Sequence, residues 1–594
     1  MARFTIALMV LGAWIAPLSA ETESQSPLGK KVDSFKLGDF RGKQVALSDY
    51  TDQKAVVVAF LGTECPVAKL YVPRLVELAK TYADRGVAFL AVDSNQQDSI
   101  AELAAFARNY SLNFPLLKDP SNLVADQFGA ERTPEVFVLD GKHVIRYRGR
   151  IDDQYGVGQS SGYAKPKAHR HDLTVALDEL LAGNAVSVPE TKATGCLIGR
   201  ISKKEPAGEV TYSNTIAKIL QDRCVECHRA GEVAPFTLTS YSEVVGWAPM
   251  MAEVIDQGTM PPWFANPEYG HFSNDARLSD DEKKAIHAWI ANGCPEGDPK
   301  DLPKPREYAE GWRISKPDLV VKMSDKPYTI PAEGVVEYQY FTVDPGFTED
   351  KWIQEAEAKP GNRGVVHHII VFIQPPSSKG DFRRRGGLAG YAPGNIPRAY
   401  PLGVANFVPA GSKLIFQMHY TPNGTEQQDL SEVGLVFADP KTVKKKVHGG
   451  AAINPLFRIP PGANNHRVES RYQFKEDMLL TNMTPHMHLR GKSFRFQVEY
   501  PDGKSEILLD VPRYDFNWQL RYELAEPKLM PAGTVLRCVA HFDNSEENLA
   551  NPNPKETVRW GDQTFEEMMI GFFGALAIND DAHSAGVAKT FSDN

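Results

Sequence analysis

Nowhere does this chain carry an apolar run long enough to span a bilayer, and no internal repeat or low-complexity block breaks it up. Six cysteines in 594 residues are too few to staple a disulfide scaffold. No charge of one sign dominates either: 66 Lys+Arg against 75 Asp+Glu leaves a formal net charge of -9, which offers nucleic acid no basic footprint. These absences exclude an embedded helical transporter, a small cystine-rich module and a nucleic-acid binder. The length predicts several domains.

Residues 1–20 read as a secretory signal. Arg3 is followed by an apolar run from Thr5 to Leu18, and Leu18-Ser19-Ala20 offers small residues for cleavage. Glu21 stands where a lipoprotein would carry cysteine, so no lipid anchor is signalled. The expectation is an exported protein, secreted or periplasmic, with no membrane span.

Residues 28–200 alternate strands and helices. Ala55-Val56-Val57-Val58-Ala59-Phe60-Leu61 is a buried-strand run, and residues 66–84 form an amphipathic helix opened by Pro66. Further strands are predicted over 87–92 and 133–139, with a helix over 98–109 between them. Strand, Cys65-Pro66, helix and a later Thr133-Pro134 before a strand resemble the α/β thioredoxin-like fold of the redoxin and alkyl hydroperoxide reductase group. That resemblance implies a cis Thr133-Pro134 bond facing an active Cys65. Two departures limit it: Cys65-Pro66-Val67-Ala68 lacks the second cysteine of a dithiol motif, and Val58 and Gly62 stand where a peroxidatic site has Pro and Thr. A helix N-terminus still favours thiolate at Cys65. Cys196 is the other thiol in this range and offers itself as the resolving partner; a scaffold that docks or senses is the alternative.

Cys224-Val225-Glu226-Cys227-His228 has the spacing at which two thiols form thioethers to haem vinyl groups and the adjacent histidine ligates iron. No second Cys/His pair stands at zinc-like spacing. A helix over 215–222 leads into the motif, and a second over 279–292 puts Ile286, Trp289 and Ile290 on its apolar side. Met260 offers a thioether as distal ligand, with Met250 and Met251 as rivals in a helical context. The surroundings resemble a small all-α cytochrome c domain over residues 208–298, with a Pro-rich, charged linker over 299–314.

Five of the 15 histidines fall in short apolar runs: Val366-His367-His368-Ile369-Ile370, Gln417-Met418-His419-Tyr420 and Thr484-Pro485-His486-Met487-His488. A buried imidazole without a partner is costly, and a metal would supply one. In a strand His486 and His488 share a face, whereas adjacent His367 and His368 need a strand end or a bulge to reach one ion. Together with Phe565-Glu566-Glu567-Met568-Met569, these motifs resemble the copper type II monooxygenases, the family of peptidylglycine alpha-hydroxylating and dopamine beta-monooxygenases. The resemblance implies one copper on His367, His368 and His419 that transfers electrons, and a second on His486, His488 and Met568 where oxygen is activated. Met569 is chemically as able as Met568.

Short runs separated by Gly, Pro and Asn predict two antiparallel β-sandwich, jelly-roll-like lobes, residues 315–445 and 446–594. In the peptide-hydroxylating relatives an Arg, an Asn and a Tyr bind the substrate carboxylate; Thr484, Ile570 and Phe572 stand at those places, so a more apolar small molecule is expected beside O2. Tyr514, Trp518 and His541 are candidates to line the pocket. The expected protein is a copper monooxygenase with two copper ions and one covalent haem c, the haem relaying electrons from an external donor. Its rivals are a haem and copper electron carrier or copper-handling protein, and a thiol peroxidase or redox protein using Cys65.

Overall fold

The computed structural model describes residues 26–157, 162–202, 204–309, 311–376, 387–397 and 399–578. The expected signal segment lies outside the described residues. No helix among the described residues is long and apolar enough to cross a membrane.

The first unit is a seven-stranded sheet in the order Gln44–Ala46, Lys36–Asp39, Leu116–Lys118, Val87–Asp93, Ala55–Phe60, Glu135–Asp140, Ile145–Gly149. Ala55–Phe60 is interior and buried along its whole length, because both faces are covered. Ala55, Val57 and Ala59 enter one core with Tyr71 and Leu75 of the helix Pro66–Ala83, while Val56, Val58 and Phe60 enter a second with Phe128. That strand ends just before Cys65, which caps the helix with Pro66 as its first residue.

A helical segment follows, with Ala217–Arg223, Ala248–Asp256 and Asp280–Ala291 closing over Ile216, Trp247, Ile286 and Trp289. It departs from a self-contained haem domain: residues 263–276 leave this core for the C-terminal sandwich. Trp263 and Phe272 pack edge-on against Tyr522, and Asn266 and Ser273 donate backbone hydrogen bonds to Asp510 and Glu523. Large aromatics in this stretch carry no signal of which core they will fill.

The rest is two β-sandwiches joined by one sheet. An eight-stranded layer runs Leu319–Lys322, Glu432–Phe437, Lys351–Lys359, Val404–Val408, Lys445–Ile453, Ile570–Ala577, Met478–His486, Tyr522–Met530. Its two halves meet where Val404–Val408 pairs in parallel with Lys445–Ile453. The first half is covered by Gln339–Val343, Lys413–Tyr420, Val366–Gln374 and Gly387–Tyr391; the second by His466–Gln473, Val535–Phe542, Gly491–Glu499 and Ser505–Val511. Alternation sends Met418 and Ile369 into the first core and leaves His419 and His368 on the opposite face.

Candidate functional site

Cys65 is 1% exposed, and its thiol donates to the Thr133 carbonyl at 2.9 Å. Thr133-Pro134 is cis, and Thr133 pairs across a short antiparallel ladder with Cys196. Burial pushes the Cys65 thiol up, but hydrogen bonds from the Cys196 side chain and from the Cys196 and Ala68 backbone outweigh it and bring it down to about 6. The same contact pushes Cys196 the other way, above the usual thiol range. One sulfur is thus poised as thiolate and its neighbour kept as thiol.

The paired histidines fall at an irregularity in the ladder. Val366 sits opposite Tyr420 and His368 opposite His419, so His367 has no partner of its own, and the bulge turns its ring onto the side of the other two. His367 Nδ1 lies 3.3 Å from His368 Nδ1 and 3.1 Å from His419 Nδ1. Burial holds all three imidazoles well below their ordinary range, His367 at about 4. Three neutral imidazoles with converging nitrogens are a group that could hold a metal ion.

His486 ends its strand, with the His488 ring 5.3 Å away at 88°. Met487 between them is buried in the sandwich core, its backbone held on both sides by the Tyr514 hydroxyl. His486 Nδ1–H donates to Gln519 Oε1 at 2.7 Å and His488 Nδ1–H to Glu566 O at 3.3 Å, which leaves Nε2 of each as the ring nitrogen that could accept a metal. His488 Nε2 is buried without a partner. Burial lowers His486 to about 4 and His488 to about 3. The buried Glu567 carboxylate accepts from the backbone N–H groups of His488 at 2.8 Å and Arg490 at 2.6 Å, fixing the loop that carries His488. Met569 is part of the sandwich core; Met568 is buried outside it.

The two histidine sets face each other across the lobes. The Tyr338 ring lies 5.3 Å from His368, 4.9 Å from His419 and 6.2 Å from His488. Phe516 stacks on His367 at 5.1 Å and stands 5.9 Å from His488. Gln519, Glu567, Tyr338 and Phe516 escaped sequence reasoning, since only the fold brings them to the histidines. Of the aromatic candidates, Tyr514 supports from behind, Trp518 packs against the sandwich core, and His541 shares a hydrogen bond with Ser493 at 3.0 Å on a strand of the other layer.

Cys224 and Cys227 are half-buried free thiols in consecutive turns, and burial raises both. His228 Nδ1–H donates to Phe236 O at 3.2 Å, leaving Nε2 as the other ring nitrogen, and burial lowers the ring to about 4. Arg229 Nε and Arg313 Nε are buried beside the motif without partners, donors of the kind haem propionates take. Met251 is built into the helical core and Met250 packs against it, whereas Met260 lies half-buried outside that cluster.

A family model for the AhpC/TSA family matches residues 28–148. Thioredoxin-like protein YneN of Bacillus subtilis (strain 168) is 32% identical over 119 residues, 20% of this chain and 68% of that protein. Through these residues the chain belongs to the thioredoxin-like AhpC/TSA family. Thiol-disulfide oxidoreductase ResA of Bacillus thuringiensis subsp. konkukian (strain 97-27) is 29% identical over 129 residues, 21% of this chain and 73% of that protein. Among solved structures, a hypothetical protein SMc02350 from Sinorhizobium meliloti 1021 is 31% identical, covering 29% of this chain and 94% of that chain with a TM-score of 0.26.

The thioredoxin-like domain touches both other parts. Cys196 packs against its own core and against the helical core. Arg132 donates to Gly195 O at 2.8 Å and to Glu253 of the helix Ala248–Asp256 at 2.9 Å. Gly199 and Gly246 meet so closely that a Cβ on Gly199 would stand 2.6 Å from Gly246 O. On the other side, Gly424 of the first sandwich abuts Lys69 and Leu70 of the Cys65 helix.

Proposed function

We propose that the chain is an exported, multidomain oxidoreductase whose thioredoxin-like domain carries out thiol–disulfide exchange through Cys65 and Cys196. The observation that carries this reading is the pair of thiols brought together at the cis Thr133-Pro134 bond, one lowered and the other raised. The Cys65 thiolate attacks a substrate disulfide and releases one substrate thiol. Cys196, as thiolate, then attacks Cys65 Sγ, releases the second, and leaves a Cys65–Cys196 disulfide. Two electrons reach the substrate, and an external dithiol restores the pair. The relatives are thiol-disulfide and thioredoxin-like proteins, which favours exchange over the peroxidase alternative, as does the missing Pro and Thr at Val58 and Gly62. Cys196→Ser should trap a mixed disulfide on Cys65 with a model disulfide substrate; mass spectrometry showing no adduct would sink the assignment.

The histidine geometry favours a second activity for the C-terminal half, copper-dependent hydroxylation of a C–H bond with O2. The donor sets suit the metal: imidazoles with thioether Met568, whose softness favours copper(I). His367, His368 and His419 would hold one copper and His486, His488 and Met568 the other, and copper there would supply one electron per site while one atom of O2 enters the substrate and the other leaves as water with two protons. Gln519 and Glu567 orient the second set, and Phe572, 5.9 Å from His486, and buried Ile570 give it an apolar wall suited to an apolar small molecule. Cys224 and Cys227 would carry haem with His228 and Met260 as axial ligands, a one-electron store between donor and copper. Metal analysis of protein matured in a haem-loading, exporting host tests this. About two coppers and one covalent haem per chain are expected, with one copper lost in His367→Ala and the other in His488→Ala. Haem without copper would refute the oxygen chemistry and leave an electron carrier.

A further inference from the structure

A cluster of buried charge lies where the helical segment meets the first sandwich. Glu226 stands between the cysteines of the haem motif, and Glu232 follows His228 by four residues. Arg313 reaches both, 3.3 Å from Glu226 and 2.9 Å from Glu232. Arg229 pairs with Glu232 at 2.9 Å, and Arg363 approaches it at 3.7 Å. The side chains of Glu232, Arg313 and Arg363 are 10%, 13% and 19% exposed. Charges buried this far are costly to leave unpaired, so the cluster holds the two surfaces in one register.

From there the contacts lead inward. Arg363 precedes His367 by four residues, and its guanidinium lies 5.5 Å over the Tyr391 ring. Tyr391 is buried in the first sandwich core and is the strand partner of Ile369, the residue after His368. Through Arg363 the ring connects to Glu232, and Arg313 joins Glu232 to Glu226 between the two cysteines. Tyr391 therefore stands between the haem motif and the strand that carries two of the three histidines.

We propose that this seam is the route by which single electrons pass from the haem segment to the His367, His368 and His419 set, with Tyr391 as the positioning residue that bridges the two surfaces. It rests on the haem and copper reading of the C-terminal half. Haem carried by Cys224, Cys227 and His228 would give up one electron in passing from ferrous to ferric, and copper held by His367, His368 and His419 would take it up in passing from copper(II) to copper(I). No bond or proton changes hands, and a one-electron reductant such as ascorbate restores the haem.

The test uses the full chain loaded with haem and copper, its haem reduced anaerobically and then followed by the haem absorption band in stopped flow. Rapid haem reoxidation is expected with copper bound and none in copper-free protein or His367→Ala. Tyr391→Leu and Arg363→Glu should each slow it severalfold at unchanged haem and copper content, while Tyr391→Phe, which keeps the ring, should retain the rate. Unaltered rates in Tyr391→Leu and Arg363→Glu would overturn the route while leaving the metal reading intact. Wild-type protein that holds no haem or no copper would overturn both, and metal analysis separates those outcomes.

Discussion

At the scale of single residues, chemistry is set by which neighbour each polar atom meets. Cys65 is buried, which alone would keep it protonated, yet the donors on Cys196 and Ala68 bring it to about 6. The expected consequence is that ultraviolet thiolate absorbance, taken as the difference from Cys65→Ser, titrates near pH 6 and not near the usual thiol value of about 8.5. The sign for stability follows. A folded value below the unfolded one adds stability above the unfolded value, and that contribution is lost as the pH falls through about 6. Reduced wild-type protein should therefore lose more stability than Cys65→Ser over that interval in denaturant titrations; parallel curves would contradict the thiolate assignment. The same logic sorts the methionines. Met251 and Met569 are accounted for by core packing, and Met260 and Met568 are the ones left over. Nothing in a sequence distinguishes adjacent methionines this way, since the difference lies in which side of the strand end reaches the core.

At the scale of elements, patterning was legible wherever an element's own period decides its burial. The run over 55–61 gives an interior strand, Ala55–Phe60, buried along its whole length, and Pro66 opens its helix. The adjacency of His367 and His368 called for a break in the strand, and the ladder is irregular at that point. What could not be read is membership in a distant core. Residues 263–276 lie between the helices Ala248–Asp256 and Asp280–Ala291, yet Trp263 is buried against Phe272 and Tyr522 in the second sandwich. Trp263→Ala is expected to cost about 3–5 kcal/mol of stability in that sandwich. Thermal unfolding read through the sandwich should fall, while the helices Ala217–Arg223 and Asp280–Ala291 keep their protection from hydrogen exchange. Loss of protection in those helices and none in the sandwich would mean that Trp263 serves the helical core instead.

At the scale of the whole molecule, the thioredoxin-like domain shares interfaces with the helical segment and with the first sandwich, and Cys196 lies in one of them. It closes the thiol site on one side and packs against the helical core on the other. Arg132, beside it on the partnering strand, holds Gly195 O and the Glu253 carboxylate at once. Forming a Cys65–Cys196 bond must draw Cys196 Sγ toward Cys65, and the Gly195 carbonyl moves with its neighbour. Gly199 and Gly246 leave little slack, because they press together where the two units meet. The shift is therefore expected to reach the helix Ala248–Asp256. Hydrogen exchange on the reduced and oxidised chain should differ in that helix as well as around Cys65, and the difference there should vanish in Cys196→Ser. If oxidation alters exchange only within the thioredoxin-like domain, Cys196 is merely packed at the boundary and its redox state stops there. If the helix responds, the thiol pair sets the footing of the segment that carries Cys224, Cys227 and His228.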